Sequence, residues 1–279
     1  MPDSALLEAL NASQREAVAA ADGPVLVVAG AGSGKTRVLT YRIAHLIRDL
    51  GVSPYSLLAI TFTNKAAEEM RGRVADLVGP IAEGMWVSTF HSACVRILRR
   101  EAPRLGYRSS FSIYDDADSV RLVTMVVRDL DLDPKRFPPK AIRAGISNAK
   151  NELVDYESYA ANDSGYYHEK VSDVYRQRLV EASAVDFDDI LMLTVEIFQA
   201  FPQVLETYQQ RFRYVLVDEY QDTNRAQYVL IKLLAHEHRN LFVVGDADQS
   251  VYAFRGADMR NLLDFEKDYP DAKVVLLER

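Results

Sequence analysis

Twelve residues, Val25 to Thr36 (VLVVAGAGSGKT), restrict what this chain can fold into more than any other stretch. Val25 to Ala29 are apolar or small without a break, as in a strand buried on both faces rather than one that alternates towards solvent. Gly30, Ala31, Gly32, Ser33 and Gly34 then supply backbone that folds tightly with its N–H groups turned inward, and a helix starting near Lys35 adds its own unpaired N–H groups. Such a nest suits the oxygens of a triphosphate, with Lys35 on the β- and γ-phosphates and the Thr36 hydroxyl on Mg²⁺. The usual GxxxxGK[ST] pattern opens on glycine. Ala29 takes that place here, which changes only the entry to the loop.

A phosphate loop needs acids beside it. Tyr214 to Val217 form a second short apolar strand followed at once by Asp218 and Glu219, and acids at the carboxyl end of a parallel strand lie where open α/β sheets place their ligands. Asp218 is expected to hold Mg²⁺, and Glu219 to act as the base that orients the attacking water, which points to hydrolysis. A further strand, Leu241 to Val244, runs into Gly245-Asp246-Ala247-Asp248-Gln249, bringing the Gln249 amide to the same edge as a sensor of the γ-phosphate.

The elements around these strands predict a discontinuous α/β layer. Strand and helix alternate from 25–29 through helix 35–49, strand 57–61 and helix 65–78 to strand 85–89, the pattern of a right-handed parallel sheet. From 92 to about 210 the pattern turns helical, with helices predicted at 92–105, 117–129, 139–151, 167–182, 187–201 and 202–210. Alternation resumes at Tyr214 and runs to strand 273–277. The predicted organisation is therefore an α/β domain at 1–91 and 211–279 with a helical subdomain, 92–210, inserted into it.

Charge and composition narrow the class. The formal net charge of −7 opposes a general affinity for nucleic acid, but it is unevenly spread. Between Ser92 and Lys150 there are 12 Lys and Arg against 7 Asp and Glu, and between Asn151 and Asp222 there are 5 against 15. The basic half offers Arg96, Arg99, Arg100, Lys140, Arg143 and Lys150 as phosphate contacts, or else as a solvated helical face. Hydrophobic residues make up 48% of the chain, enough for a substantial core, with no apolar run of the roughly 18 residues a membrane span requires. The N-terminal residues carry acids rather than a basic segment before an apolar one, and a cytoplasmic protein is expected. The single cysteine, Cys94, excludes an internal disulfide and reads as a small buried helix residue.

The segments LNASQREAV (Leu10 to Val18), GAGSGKTRVLT, ITFTNKAAEEM (Ile60 to Met70), VSTFHS (Val87 to Ser92), VDFDDI (Val185 to Ile190), VDEYQDTNRAQY (Val217 to Tyr228) and VVGDADQSVYAFRGAD (Val243 to Asp258) resemble, in order, the motifs of the UvrD/PcrA/Rep superfamily 1 DNA helicases. The resemblance spans the whole chain. It implies a RecA-like P-loop NTPase fold, a parallel sheet with helices on both faces, interrupted by a mostly helical subdomain. It also implies ATP-dependent translocation on single-stranded DNA, 3′ to 5′, in repair or replication, by a monomer that engages single strands and single-strand/duplex junctions. Gln14 would read the adenine edge with its two-sided amide, and Arg37 would lie near the nucleotide. Phe62, His91, Phe187, Tyr252 and Phe254 would stack on bases, at about 1–3 kcal/mol per base, while Thr61, Thr63, Asn64 and Ser88 would bond the sugar-phosphate backbone. Phe254 stands where the family usually has Trp, and Phe187 taken alone reads equally well as a core residue.

Family members continue past VVLLER (Val274 to Arg279) into a second motor lobe that carries the adenine-stacking Tyr and the arginines that reach the γ-phosphate. Residues 1–279 are therefore expected to be the N-terminal portion of a larger helicase. Two other readings stay open. One is the motor part of an ATP-dependent nuclease, and the other is a nucleotide-dependent single-strand-binding module without turnover.

Overall fold

A computed structural model describes residues 5–30, 32–154, 165–246 and 260–277, and these fall into two compact units. The described residues form eight strands: β1 (Val25–Ala29), β2 (Leu57–Thr61), β3 (Trp86–Thr89), β4 (Ser112–Tyr114), β5 (Ala184–Asp186), β6 (Tyr214–Val217), β7 (Leu241–Gly245) and β8 (Lys273–Leu277). Six of them make one sheet in the order β3-β2-β6-β7-β1-β8, and every neighbouring pair is parallel.

Alternation along the strands explains why these runs are apolar throughout. Val25, Val27, Ala29, Leu57, Ala59, Leu216, Phe242, Val244, Val275 and Leu277 share one core with the helices Lys35–Arg48 and Asn64–Val78. The intervening residues Leu26, Leu58, Ile60, Val215, Val217 and Val243 are buried too. Burying one such side chain contributes about 1.5–3 kcal/mol, so a sheet covered on both faces has no place for polar alternation. The helix Lys35–Arg48 supplies Val38, Leu39, Ile43, Leu46 and Ile47 to the core. The helix Asn64–Val78 is capped by the Thr63 hydroxyl, which accepts from Ala66 N at 3.1 Å, and supplies Ala67, Met70 and Val74. Because β6, β7 and β1 are adjacent and parallel, their carboxyl ends lie side by side. This places three loops distant in sequence at one edge.

The second unit comprises Cys94–Phe201 and Arg225–Leu230. Its core joins Val123, Val126, Ile142, Ile146, Val171, Tyr175 and Leu179 from the helices Asp116–Asp129, Pro139–Glu152 and Gly165–Glu181 with Phe137 from the segment between the first two. It also holds a two-stranded parallel ribbon, β4 with β5, which the helical reading of 92–210 omitted. Strands of three residues are too short to show a period. Cys94 is fully buried in the helix Phe90–Glu101, and burial pushes its thiol up to about 12, as suits a packing residue.

Two expectations need correction. The helix Pro202–Arg211, read as the last of the insertion, groups with the α/β unit: Gln209 Nε2 donates to the Leu233 carbonyl at 2.8 Å, and Tyr208 stacks on Phe212, which meets Trp86 edge-on at 4.9 Å. Arg143 and Lys150 are not phosphate contacts, because both are buried against carboxylates. Lys150 Nζ lies 2.7 Å from Asp186 Oδ2 and 2.7 Å from Asp189 Oδ1, and Arg143 lies 2.9 Å from Asp188 and 3.9 Å from Asp186. Tyr175 also donates to Asp186, at 2.8 Å. Arg96, Arg99, Arg100 and Lys140 remain exposed.

Candidate active site

The loop after β1 is built as its glycines require. Ser33 closes it, donating from its hydroxyl to the Gly30 carbonyl at 2.7 Å and from its N–H at 3.3 Å. Gly34 sits at φ +88° as the residue before the helix Lys35–Arg48, and a Cβ there would fall 2.8 Å from Gln14 Nε2. Only glycine meets both demands without strain. Gln14 is locked on both sides. Its carbonyl accepts from Asn11 N at 3.3 Å in a capping box on the helix Ala12–Val18, and its Nε2 donates to the Ser33 carbonyl at 3.2 Å. Ala29 is buried at the end of β1, Thr36 is half-buried in the first helical turn, and Arg37 is exposed, donating to the Ala9 carbonyl at 2.6 Å and lying 5.1 Å over the Tyr41 ring. Ala31 lies outside the described residues.

Lys35 meets the acids from the neighbouring strand ends. Its Nζ is 2.7 Å from Asp246 Oδ2, at the end of β7, and 3.7 Å from Glu219 Oε2, beyond β6. Asp246 is fully buried, whereas the Glu219 side chain keeps 35% exposure. Glu219 adopts left-handed backbone, φ 48° and ψ 44°, a conformation that costs a non-glycine residue on the order of 1–3 kcal/mol and that collects at functional sites. Gln221 is buried behind it. Its Nε2 donates to Glu219 Oε2 at 2.8 Å and to Asp222 Oδ2 at 3.2 Å, and its Oε1 accepts from Asp246 N at 2.9 Å.

Asp218 is buried against the β2 end, its N–H donating to the Ile60 carbonyl at 3.0 Å and its Oδ1 accepting from Glu219 N at 3.0 Å. Burial, and then the charge of Glu219, push its carboxyl up to about 6. Burial and Glu219 raise Asp222 in the same direction. Four carboxylates, Asp218, Glu219, Asp222 and Asp246, thus crowd round one lysine, and a buried acid raised in this way gains from an added cation. A magnesium ion bound by one carboxylate, one hydroxyl and substrate phosphates fits that donor set. Asp218 and Thr36 are the residues that would hold it. Among the described residues no group of three or more His, Cys, Asp or Glu forms a complete metal cage.

Residues 10–270 match the UvrD/REP helicase N-terminal domain family. The chain belongs to this family. It is 54% identical over 277 residues to the ATP-dependent DNA helicase PcrA of Bacillus subtilis, with 98% of this chain and 38% of that protein covered. It is 51% identical to the PcrA of Staphylococcus epidermidis and 52% identical to that of Staphylococcus aureus, each over 279 residues, or 99% of this chain and 38% of the relative. The chain therefore spans 38% of the length of these curated relatives. Its parallel sheet with helices on both faces is the RecA-like motor lobe of the family.

The family resemblance also assigned a set of residues to a DNA strand, and the structure places most of them. Phe62 is half-buried after β2, with its ring edge-on to Phe90 at 5.4 Å. Thr63 and Asn64 are exposed at the start of the next helix, and His91 is half-buried after β3. Ser88 presents a buried hydroxyl oxygen without a hydrogen-bond partner. Thr61 departs from the expectation: it is buried, and its hydroxyl donates to the Thr63 carbonyl at 3.1 Å, so it shapes the turn that carries Phe62. Phe187, in the other unit, is 45% exposed at the start of the helix Phe187–Ala200, which removes the core-packing alternative. Gln249, Tyr252 and Phe254 lie outside the described residues. No helix among the described residues is long and apolar enough to cross a membrane.

Two residues of the site were missed by sequence reasoning, Asp246 and Gln221. Asp246 was read only as the approach to Gln249, and Gln221 stood unassigned within VDEYQDTNRAQY. A turn of mixed polar residues does not reveal which side chain faces inward.

Proposed function

We propose that the chain binds and hydrolyses Mg²⁺-ATP at the loop 29–37 and couples hydrolysis to 3′-to-5′ movement on single-stranded DNA. The observation that carries this reading is the convergence of Lys35, Asp218, Glu219 and Asp246 at three adjacent strand ends, with the lysine held against carboxylates whose charge a nucleotide complex would rebalance. Loop N–H groups and Lys35 bind the phosphates, Lys35 exchanging its contact with Asp246 for one with the β- and γ-phosphates. Thr36 and Asp218 hold the metal, which when bound neutralises phosphate charge. Glu219 is open enough to meet water. It takes the proton as the water oxygen bonds to the γ-phosphorus and the bond to the β–γ bridging oxygen breaks, leaving ADP and phosphate. Gln14 contacts adenine, Arg37 lies beside the nucleotide, and Gln249 senses the γ-phosphate.

Phe62, His91, Phe187, Tyr252 and Phe254 supply stacking surfaces for bases, and Thr63, Asn64 and Ser88 bond the strand backbone, giving sequence-tolerant, salt-sensitive binding. The helical unit, Cys94–Phe201, adds contacts towards single-strand/duplex junctions through its exposed arginines. Stepping needs two lobes that move against each other, so residues 1–279 by themselves hydrolyse ATP slowly and do not unwind duplex. Single-turnover hydrolysis, with and without a single-stranded oligonucleotide, tests the reading. The parent chain should turn over slowly and be stimulated by the strand. Glu219→Gln should retain ATP binding and lose about 10²–10⁴-fold in rate. Equal rates for the two would favour a nucleotide-dependent binding module instead.

A further inference from the structure

Gln221 is a neutral side chain within this charged cluster, and every polar atom of its amide is used. The two Nε2 hydrogens go to carboxylates, Glu219 Oε2 at 2.8 Å and Asp222 Oδ2 at 3.2 Å, and Oε1 takes the Asp246 N–H at 2.9 Å. Chemistry fixes the orientation of the amide. Flipped, it would set its oxygen against two carboxylate oxygens and its NH₂ against a backbone N–H. At 1% exposure no water substitutes for these bonds.

We propose that Gln221 is a positioning residue for hydrolysis: it fixes the Glu219 carboxylate and ties it to the end of β7, where Asp246 holds Lys35. This rests on the reading of Glu219 as the base. Glu219 carries left-handed backbone just before the turn Tyr220–Asp222 and its carboxylate is partly exposed, so something must stop that carboxylate from swinging. Gln221 grips Oε2 and leaves Oε1, which has no partner among the described residues, as the oxygen that faces water. A neutral donor suits this task. A cation in its place would weaken the base, and a carboxylate would add a further charge beside Glu219 and Asp222. The same amide bonds the backbone at Asp246, so a shift at the end of β7 is passed to the base through one rigid group.

A double-mutant cycle on residues 1–279, read by single-turnover ATP hydrolysis with a single-stranded oligonucleotide and by binding of a fluorescent ATP analogue, tests the assignment. Gln221→Leu should slow hydrolysis by about 10²-fold, the cost of a base misplaced by roughly 1 Å, with nucleotide affinity within about twofold of the parent. In the Glu219→Gln background the same substitution should change nothing further. Where leucine prevents folding, Gln221→Met keeps the length, removes the hydrogen bonds without adding a charge and should give the same split. An equal loss in both backgrounds, parallel loss of nucleotide binding, or an unchanged rate in Gln221→Leu would overturn the proposal while leaving Glu219 as the base. Parent-like hydrolysis by Glu219→Gln would overturn the reading of the base, and the proposal with it.

Discussion

Each unit of this chain buries one lysine against aspartates, and the two sites end differently. Lys150, in the helical unit, has two carboxylates at 2.7 Å, and its principal partner Asp186 also accepts from Tyr175 and from Asp189 N. Asp186 and Asp189 close a capping box on the helix they begin. Burial works to raise both carboxyls: Lys150 and Arg143 overcome it at Asp186 and hold it at about 2, whereas burial and the charge of Asp186 push Asp189 up to about 6. Lys35, in the α/β unit, has one carboxylate at 2.7 Å and a second at 3.7 Å that opens to solvent, with Asp218 pushed up to about 6 beside them. The elementary chemistry is the same. A buried network whose carboxylates are taken up by two cations, a tyrosine and a helix cap is structure, whereas one that opens to solvent through a left-handed glutamate has room for a charged ligand.

The largest effect separating the two is expected at Lys150. Lys150→Met leaves two buried carboxylates without their cation and should cost about 3–5 kcal/mol, read by urea unfolding. A loss below 1 kcal/mol would mean that the network is not closed as described. Acid should act next. With its folded pKa below the unfolded value of about 3.9, Asp186 contributes stability that is fully present above pH 4 and is lost as pH falls through 4 towards 2, on the order of 2 kcal/mol. Urea midpoints between pH 4 and pH 2.5, below the range in which the raised Asp189 and Asp218 titrate with the opposite sign, should show that loss in the parent and much less of it in Asp186→Asn. The smallest effect belongs to the open site. Asp218→Asn removes a raised, crowded acid and should stabilise the metal-free protein by about 0.5–2 kcal/mol, measured in chelator. Destabilisation there would show that Asp218 supports the fold.

How far the sequence reveals these regions depends on the kind of signal. Continuous apolar runs mark β1, β2, β6 and β7 because a doubly covered strand has no polar positions, and the glycines of the loop mark a backbone that other residues cannot adopt. Asp218 and Glu219 are legible because they directly follow such a strand, and Lys35 because it ends the glycine loop that follows another. Arg143 and Lys150 were misread because a count of charges along the chain carries no direction, and these two point inward on the helix Pro139–Glu152. The cue was present in Asp186-x-x-Asp189 ahead of an apolar helix, a capping pair that needs cations if it is buried. Gln221 left no cue. Its role follows from a left-handed turn and two neighbouring strand ends, which exist only once the sheet is assembled.

The contrast between the two lysines is tested most directly by calorimetric titration of Mg²⁺-ATP into the parent chain, Lys35→Ala and Lys150→Met under conditions where all three are folded. The parent should bind, Lys35→Ala should lose at least about tenfold in affinity, or about 1.4 kcal/mol, and Lys150→Met should stay within about twofold of the parent. Unchanged affinity in Lys35→Ala, or equal losses in both variants, would contradict the assignment of the open site to the nucleotide.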